Sequence, residues 1–102
     1  PNLRVLKINV NSLWAKHEFT VEVFQKMLKQ CPHLLSLTVE HSSFYAEAFA
    51  ALQECSELEC VDLRYSKKLD ENIFIHLAQL PALKKISLAH SPNVGHPSSS
   101  LI

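Results

Sequence analysis

The strongest constraint on this chain is that it repeats itself. Apolar residues recur as apolar-x-x-apolar-x-apolar at Leu3-Leu6-Ile8, Leu34-Leu37-Val39, Leu58-Val61-Leu63 and Leu83-Ile86-Leu88, and successive frames begin 31, 24 and 25 residues apart. The end of each frame alternates as a strand does, with every second side chain on one face. A period of this size predicts stacked units, each contributing one strand and one return to a shared core. The most complete unit runs from Cys55 to Leu80. It carries strand signals at Leu58, Val61 and Leu63, a turn through Ser66, and a helix predicted from about Asp70 to Gln79.

Finer features repeat with the frames. Eight residues past each frame's first position stand Asn11, Ser42, Ser66 and Ser91, all small and polar. The third unit continues Ser66-Lys67-Lys68-Leu69-Asp70-Glu71, and the fourth has Ser91-Pro92-Asn93-Val94. In the returns, Leu69, Phe74, Leu77 and Leu80 of the third unit match Phe44, Phe49, Leu52 and Cys55 of the second. In these respects the chain resembles leucine-rich repeat proteins of the cysteine-containing subclass, whose units carry similar Cys-x-x-Ile-Thr-Asp and Cys-Pro-Asn-Val segments. The resemblance covers roughly residues 1 to 94. It implies an α/β fold, a short right-handed solenoid with parallel strands on a concave face and helices on a convex face. The subclass is best known from the substrate-recognition repeats of F-box proteins, the receptor subunits of cullin-type ubiquitin ligases. By resemblance the chain is then a protein-protein interaction module of such a receptor, reaching the ligase adaptor only through regions outside this sequence. The alternative is a structural repeat segment that docks within a larger protein or assembly and has no ligand of its own.

The expected organisation is a repeat segment over 1–94, with units 1–30, 31–54, 55–79 and 80–94, and an irregular tail over 95–102. Pro1-Asn2-Leu3 is in register with Pro32-His33-Leu34 and Pro81-Ala82-Leu83, so the chain reads as a segment of a longer parent. Open ends of a stack leave apolar surface in water, which predicts self-association through them. The first unit holds about five extra residues between Asn11 and Phe19, among them Leu13, Trp14, Lys16 and His17. Loops leaving a strand tolerate such additions and often bind with them. Trp14 is therefore a candidate partner contact, or it folds back over the open N-terminal edge. Thr20 suits an N-cap for a helix ending near Gln30, with Phe24, Met27 and Leu28 facing inward. Helices are also predicted over Tyr45 to Glu54, rich in alanine, and from Asp70, with Asp70 and Glu71 in the first turn where carboxylates favour the helix dipole.

Composition narrows the function. Ten basic residues balance ten acidic ones, and no face is announced as basic, which argues against nucleic acid as a partner. No apolar run is long enough to span a bilayer. Cys31, Cys55 and Cys60 are an odd set; Cys31 and Cys55 stand at the ends of returns where the next unit has Leu80, so they read as small buried hydrophobes in a reducing, cytoplasmic or nuclear setting. Six histidines are many for the length, yet they show no metal-ligand spacing. With no phosphate loop, Cys-x-x-Cys or nucleophile elbow, neither an enzyme nor a cofactor is expected.

Alternation along each strand fixes which residues face outward. The columns are Val5, Ser36, Cys60 and Lys85; Lys7, Thr38, Asp62 and Ser87; Asn9, Glu40, Arg64 and Ala89; then, where strands bend away, Val10, His41, Tyr65 and His90. Strands about 4.8 Å apart would make Glu40 and Arg64 lateral partners and set Tyr65 between His41 and His90. Lys7, Asn9, Thr38, Glu40, His41, Asp62, Arg64, Tyr65, Ser87 and His90 are the candidate protein-binding residues. The competing reading is an ordinary solvated face.

Overall fold

The computed structural model describes residues 3–10 and 20–91. Over this range the chain is α/β. Its elements are β1 (Val5–Asn9), α1 (Val21–Lys29), β2 (Ser36–Glu40), a 3₁₀ helix (Ala46–Glu54), β3 (Cys60–Asp62), α2 (Ile73–Leu77) and β4 (Lys85–Ser87). The strands form one parallel sheet in sequence order. Each strand starts two residues beyond the first leucine of its frame.

Strand register matches the frames. Leu6, Leu37, Val61 and Ile86 lie side by side, as do Lys7, Thr38, Asp62 and Ser87. Alternation sends Leu37, Val39, Val61 and Leu63 into a core with Phe24, Leu28, Phe49, Leu52, Ile73 and Leu77 from the returns. Each such side chain contributes about 1.5–3 kcal/mol through burial. Phe24 of α1 meets Phe44 and Phe49 of the next unit at ring distances of 5.2 and 5.4 Å, tying the first two units together. Burial falls off toward both ends. Leu34 and Leu58 are fully buried, Leu3 is 41% exposed, and Leu83, Ile86 and Leu88 are only partly covered.

The returns differ in winding. In α1 the buried residues Phe24 and Leu28 follow an α-helical step, and Thr20 caps the helix by accepting from the Val23 amide at 3.2 Å. The predicted helix Tyr45 to Glu54 is instead a 3₁₀ helix, whose buried Ala46, Phe49, Leu52 and Cys55 recur every third residue. That spacing suits a winding with three residues per turn, and its longer rise of about 2 Å per residue lets a shorter unit span the same distance. The third return is also tighter than predicted. Ile73, Phe74 and Ile75 bond back three residues to Asp70, Glu71 and Asn72, and the α-helix is confined to Ile73–Leu77. Asp70 thus precedes the helix and accepts from the Asn72 amide at 2.9 Å. Trp14, the inserted loop, Asn11 and the predicted tail lie outside the described residues.

Candidate functional site

The sheet face away from the helices carries the outward columns. After β2, β3 and β4 the chain passes through a residue with left-handed backbone: His41 at φ 55°, Tyr65 at φ 57° and His90 at φ 59°. For residues other than glycine this conformation costs roughly 1–2 kcal/mol. Its effect is to reverse the chain while the ladder extends one step further, with His41 N–H donating to Arg64 O (3.3 Å) and Tyr65 N–H to Ala89 O (3.0 Å). The following serines, Ser42, Ser66 and Ser91, are thereby carried into the core. Ser66 and Ser91 hydroxyls both donate to Leu63 O, at 2.7 and 3.1 Å, and Ser91 Oγ accepts from the Ser66 amide at 3.3 Å. Ser42 Oγ accepts from the Phe44 amide at 3.1 Å. Small polar side chains at this position satisfy loop backbone that would otherwise be buried without partners.

The reversals leave three planar rings in a row along one margin of the face. His41 and Tyr65 stack at 4.6 Å with 4° between ring planes, and Tyr65 and His90 at 4.8 Å with 5°. Tyr65 stands between the histidines as its column required. Val10, assigned to the same column, is buried, so the described stack begins at His41.

Polar groups fill the rest of the face, with one rearrangement. Arg64 does not pair with Glu40; its Nε donates to both Asp62 oxygens at 3.1 Å and its Nη2 to Oδ2 at 2.5 Å. The two residues lie on one strand side, two positions apart, so the guanidinium reaches the carboxylate without crossing to the next strand, and Asp62 keeps it protonated above its usual range. Glu40 is instead 3.9 Å from Lys7. Between the strands lies a half-open hollow of about 190 Å³, lined by Ser36, Thr38, Cys60, Asp62, Lys85 and Ser87. Ser36, Cys60 and Lys85 were not among the candidate residues, although their shared column pointed to them. Lys7, Asn9, Thr38, Glu40, His41, Asp62, Arg64, Tyr65, Ser87 and His90 do come together on this face. Asp62 lies beside both Thr38 and Ser87.

The cysteines are free. Burial pushes the Cys55 thiol up to about 11, and its Sγ donates to Leu28 O at 3.5 Å. Cys60 is half-exposed in the hollow. Among the described residues no group of three or more His, Cys, Asp or Glu side chains could hold a metal ion, and no helix is long and apolar enough to cross a membrane. Comparison with protein-family models, curated proteins and solved structures finds no match.

Proposed function

We propose that this chain is a run of leucine-rich repeats, a short right-handed solenoid whose open sheet face binds another protein and performs no chemistry. The observation that supports this reading best is the stacked row His41, Tyr65 and His90 beside the Asp62 and Arg64 pair. Tyrosine and arginine supply much of the binding energy in protein interfaces, and side chains already held in place lose little entropy on contact. Within this reading, the chain serves as substrate-recognition repeats of an F-box-type ubiquitin ligase receptor in the cytoplasm or nucleus. The ligase adaptor would be engaged by other parts of the parent protein.

A second reading is favoured by the partly covered Leu83, Ile86 and Leu88 at the β4 edge. Here the chain is a structural segment that docks within a larger protein, and its open face binds nothing. Affinity capture from cell extract separates the two, using the wild-type chain and a variant carrying Arg64→Glu, Tyr65→Ala and His90→Ala, with circular dichroism establishing that both are folded. A protein retained by wild type and lost by the variant supports recognition through the open face. Equal retention, or none, overturns it in favour of the structural role.

A further inference from the structure

Among the described residues β1 and β4 are the two edges of the sheet, and their hydrogen-bonding groups follow a rule set by the inner strands. At its start each strand donates backward: Ser36 N–H to Arg4 O, Cys60 N–H to Leu35 O and Lys85 N–H to Glu59 O, each at 3.0 Å. At its end it receives from behind, Leu63 N–H donating to Ser87 O at 2.8 Å and Tyr65 N–H to Ala89 O at 3.0 Å. Carried one strand further, the rule assigns β4 two forward donors, the Leu88 and His90 amides, and one acceptor, the Lys84 carbonyl. Applied to β1, it assigns one backward donor, the Val5 amide, and two backward acceptors at Lys7 and Asn9, the residues in register with Ser87 and Ala89. Among the described residues β1 pairs with β2 and β4 with β3, so these groups lie on the sides of the edge strands that face away from the inner strands.

Side chains at the edges complement each other in the same register. Leu83, Ile86 and Leu88 are partly covered where their inner counterparts are buried, and across the sheet Leu3 and Leu6 are also incompletely covered. A strand with β1's sequence laid parallel beside β4 would set Leu3-Leu6-Ile8 against Leu83-Ile86-Leu88, as each inner frame lies against the next. We propose that the β4 edge of one copy pairs with the β1 edge of a second copy, continuing the parallel sheet head to tail. Like edges related by a two-fold axis would run antiparallel and lose the alignment of frames. A head-to-tail contact does not close on itself, so the assembly grows with concentration. Arg4 and Lys84 fall at equivalent positions across the junction, although Lys84 has Glu59 at 3.9 Å. Added salt therefore screens the repulsion and favours growth. The inference uses ladder geometry and stands apart from the reading of the open face.

The test is sedimentation of the full chain from micromolar to millimolar concentration. Wild type is expected to gain mass continuously, more so at higher salt. Val5→Pro removes the backward donor at an exposed first strand position, where proline is tolerated; Ile86→Lys places a charge on the other edge, with Leu83→Lys as the substitute should Ile86→Lys prove unfolded by circular dichroism. Each variant alone should remain monomeric. Mixed, they should form a one-to-one pair, because the Val5→Pro chain keeps an intact β4 edge and its partner an intact β1 edge. The proposal is overturned by a wild type that stays monomeric throughout, which leaves the edge for a different polypeptide. It is equally overturned if Val5→Pro assembles as wild type does, or if two folded variants fail to pair.

Discussion

The Tyr65 ring lies 4.6 Å from the His41 ring and within 4° of parallel, while its own backbone sits in the left-handed region. Stacking and backbone strain therefore act on one residue with opposite sign. Replacement by alanine removes the ring and keeps most of the strain, whereas glycine removes both. The Tyr65→Gly chain should be more stable than Tyr65→Ala by about 1 kcal/mol, from the penalty that a Cβ incurs in this conformation. Urea denaturation of the two variants measures the difference; equal stabilities would show that the strain is absent.

A second prediction concerns Ser66 and Ser91, which share the Leu63 carbonyl. Each single alanine variant leaves that oxygen one hydroxyl donor, and Ser91→Ala also strips the Ser66 amide of its acceptor. Ser66→Ala should cost about 0.5–1.5 kcal/mol and Ser91→Ala about 1–3 kcal/mol. Because they share an acceptor, the double variant should depart from the sum by at least about 0.5 kcal/mol in a denaturation cycle. Additive losses would separate the two serines.

The cysteines should behave differently toward a thiol reagent. Cys60 is half-exposed on the open face and should react in the folded protein, while Cys31 and Cys55 become reactive only on unfolding. Cys55 also gives a pH signature. Burial raises its folded thiol from the ordinary value of 9.0 to about 11, so both states hold the proton at lower pH. Above 9 the unfolded state loses the proton first, and stability falls as pH rises toward 11. Thermal melts across this window should show a fall that is smaller in Cys55→Ala; identical slopes would remove Cys55 as the cause.

His76 in α2 holds a buried Nδ1 with no hydrogen-bond partner among the described residues. Such an atom gives up its contact with water for nothing. His76→Leu should be neutral or stabilising by about 1 kcal/mol, since it removes a polar group that has no bond to lose. A clear loss of stability in urea would show that the imidazole makes a contribution of another kind.

Most of the strand layout was legible because it depends on local spacing. The frames put Leu37 beside Val61 and Thr38 beside Asp62, and the structure does the same. The serine position was legible too, since a small polar group eight residues into each unit is where loop backbone needs a partner. Helix type was read less well: Ala46, Phe49, Leu52 and Cys55 hold a three-residue step, but alanine content drew the reading toward an α-helix. On the open face the columns fixed who stands beside whom, yet they could not fix where a long side chain turns. Arg64 is close to both Asp62 and Glu40, and the shorter reach to Asp62 decides its position.

Since among the described residues β1 adjoins only β2, and β4 only β3, fraying at either edge leaves the opposite edge untouched, and the two inner strands hold the amides slowest to exchange with solvent. Anything lying across neighbouring strands on the open face then acts as a splint. It couples units that would otherwise loosen one after another, so occupancy there would register as slower hydrogen exchange at β1 and β4, far from the ligand's own footprint.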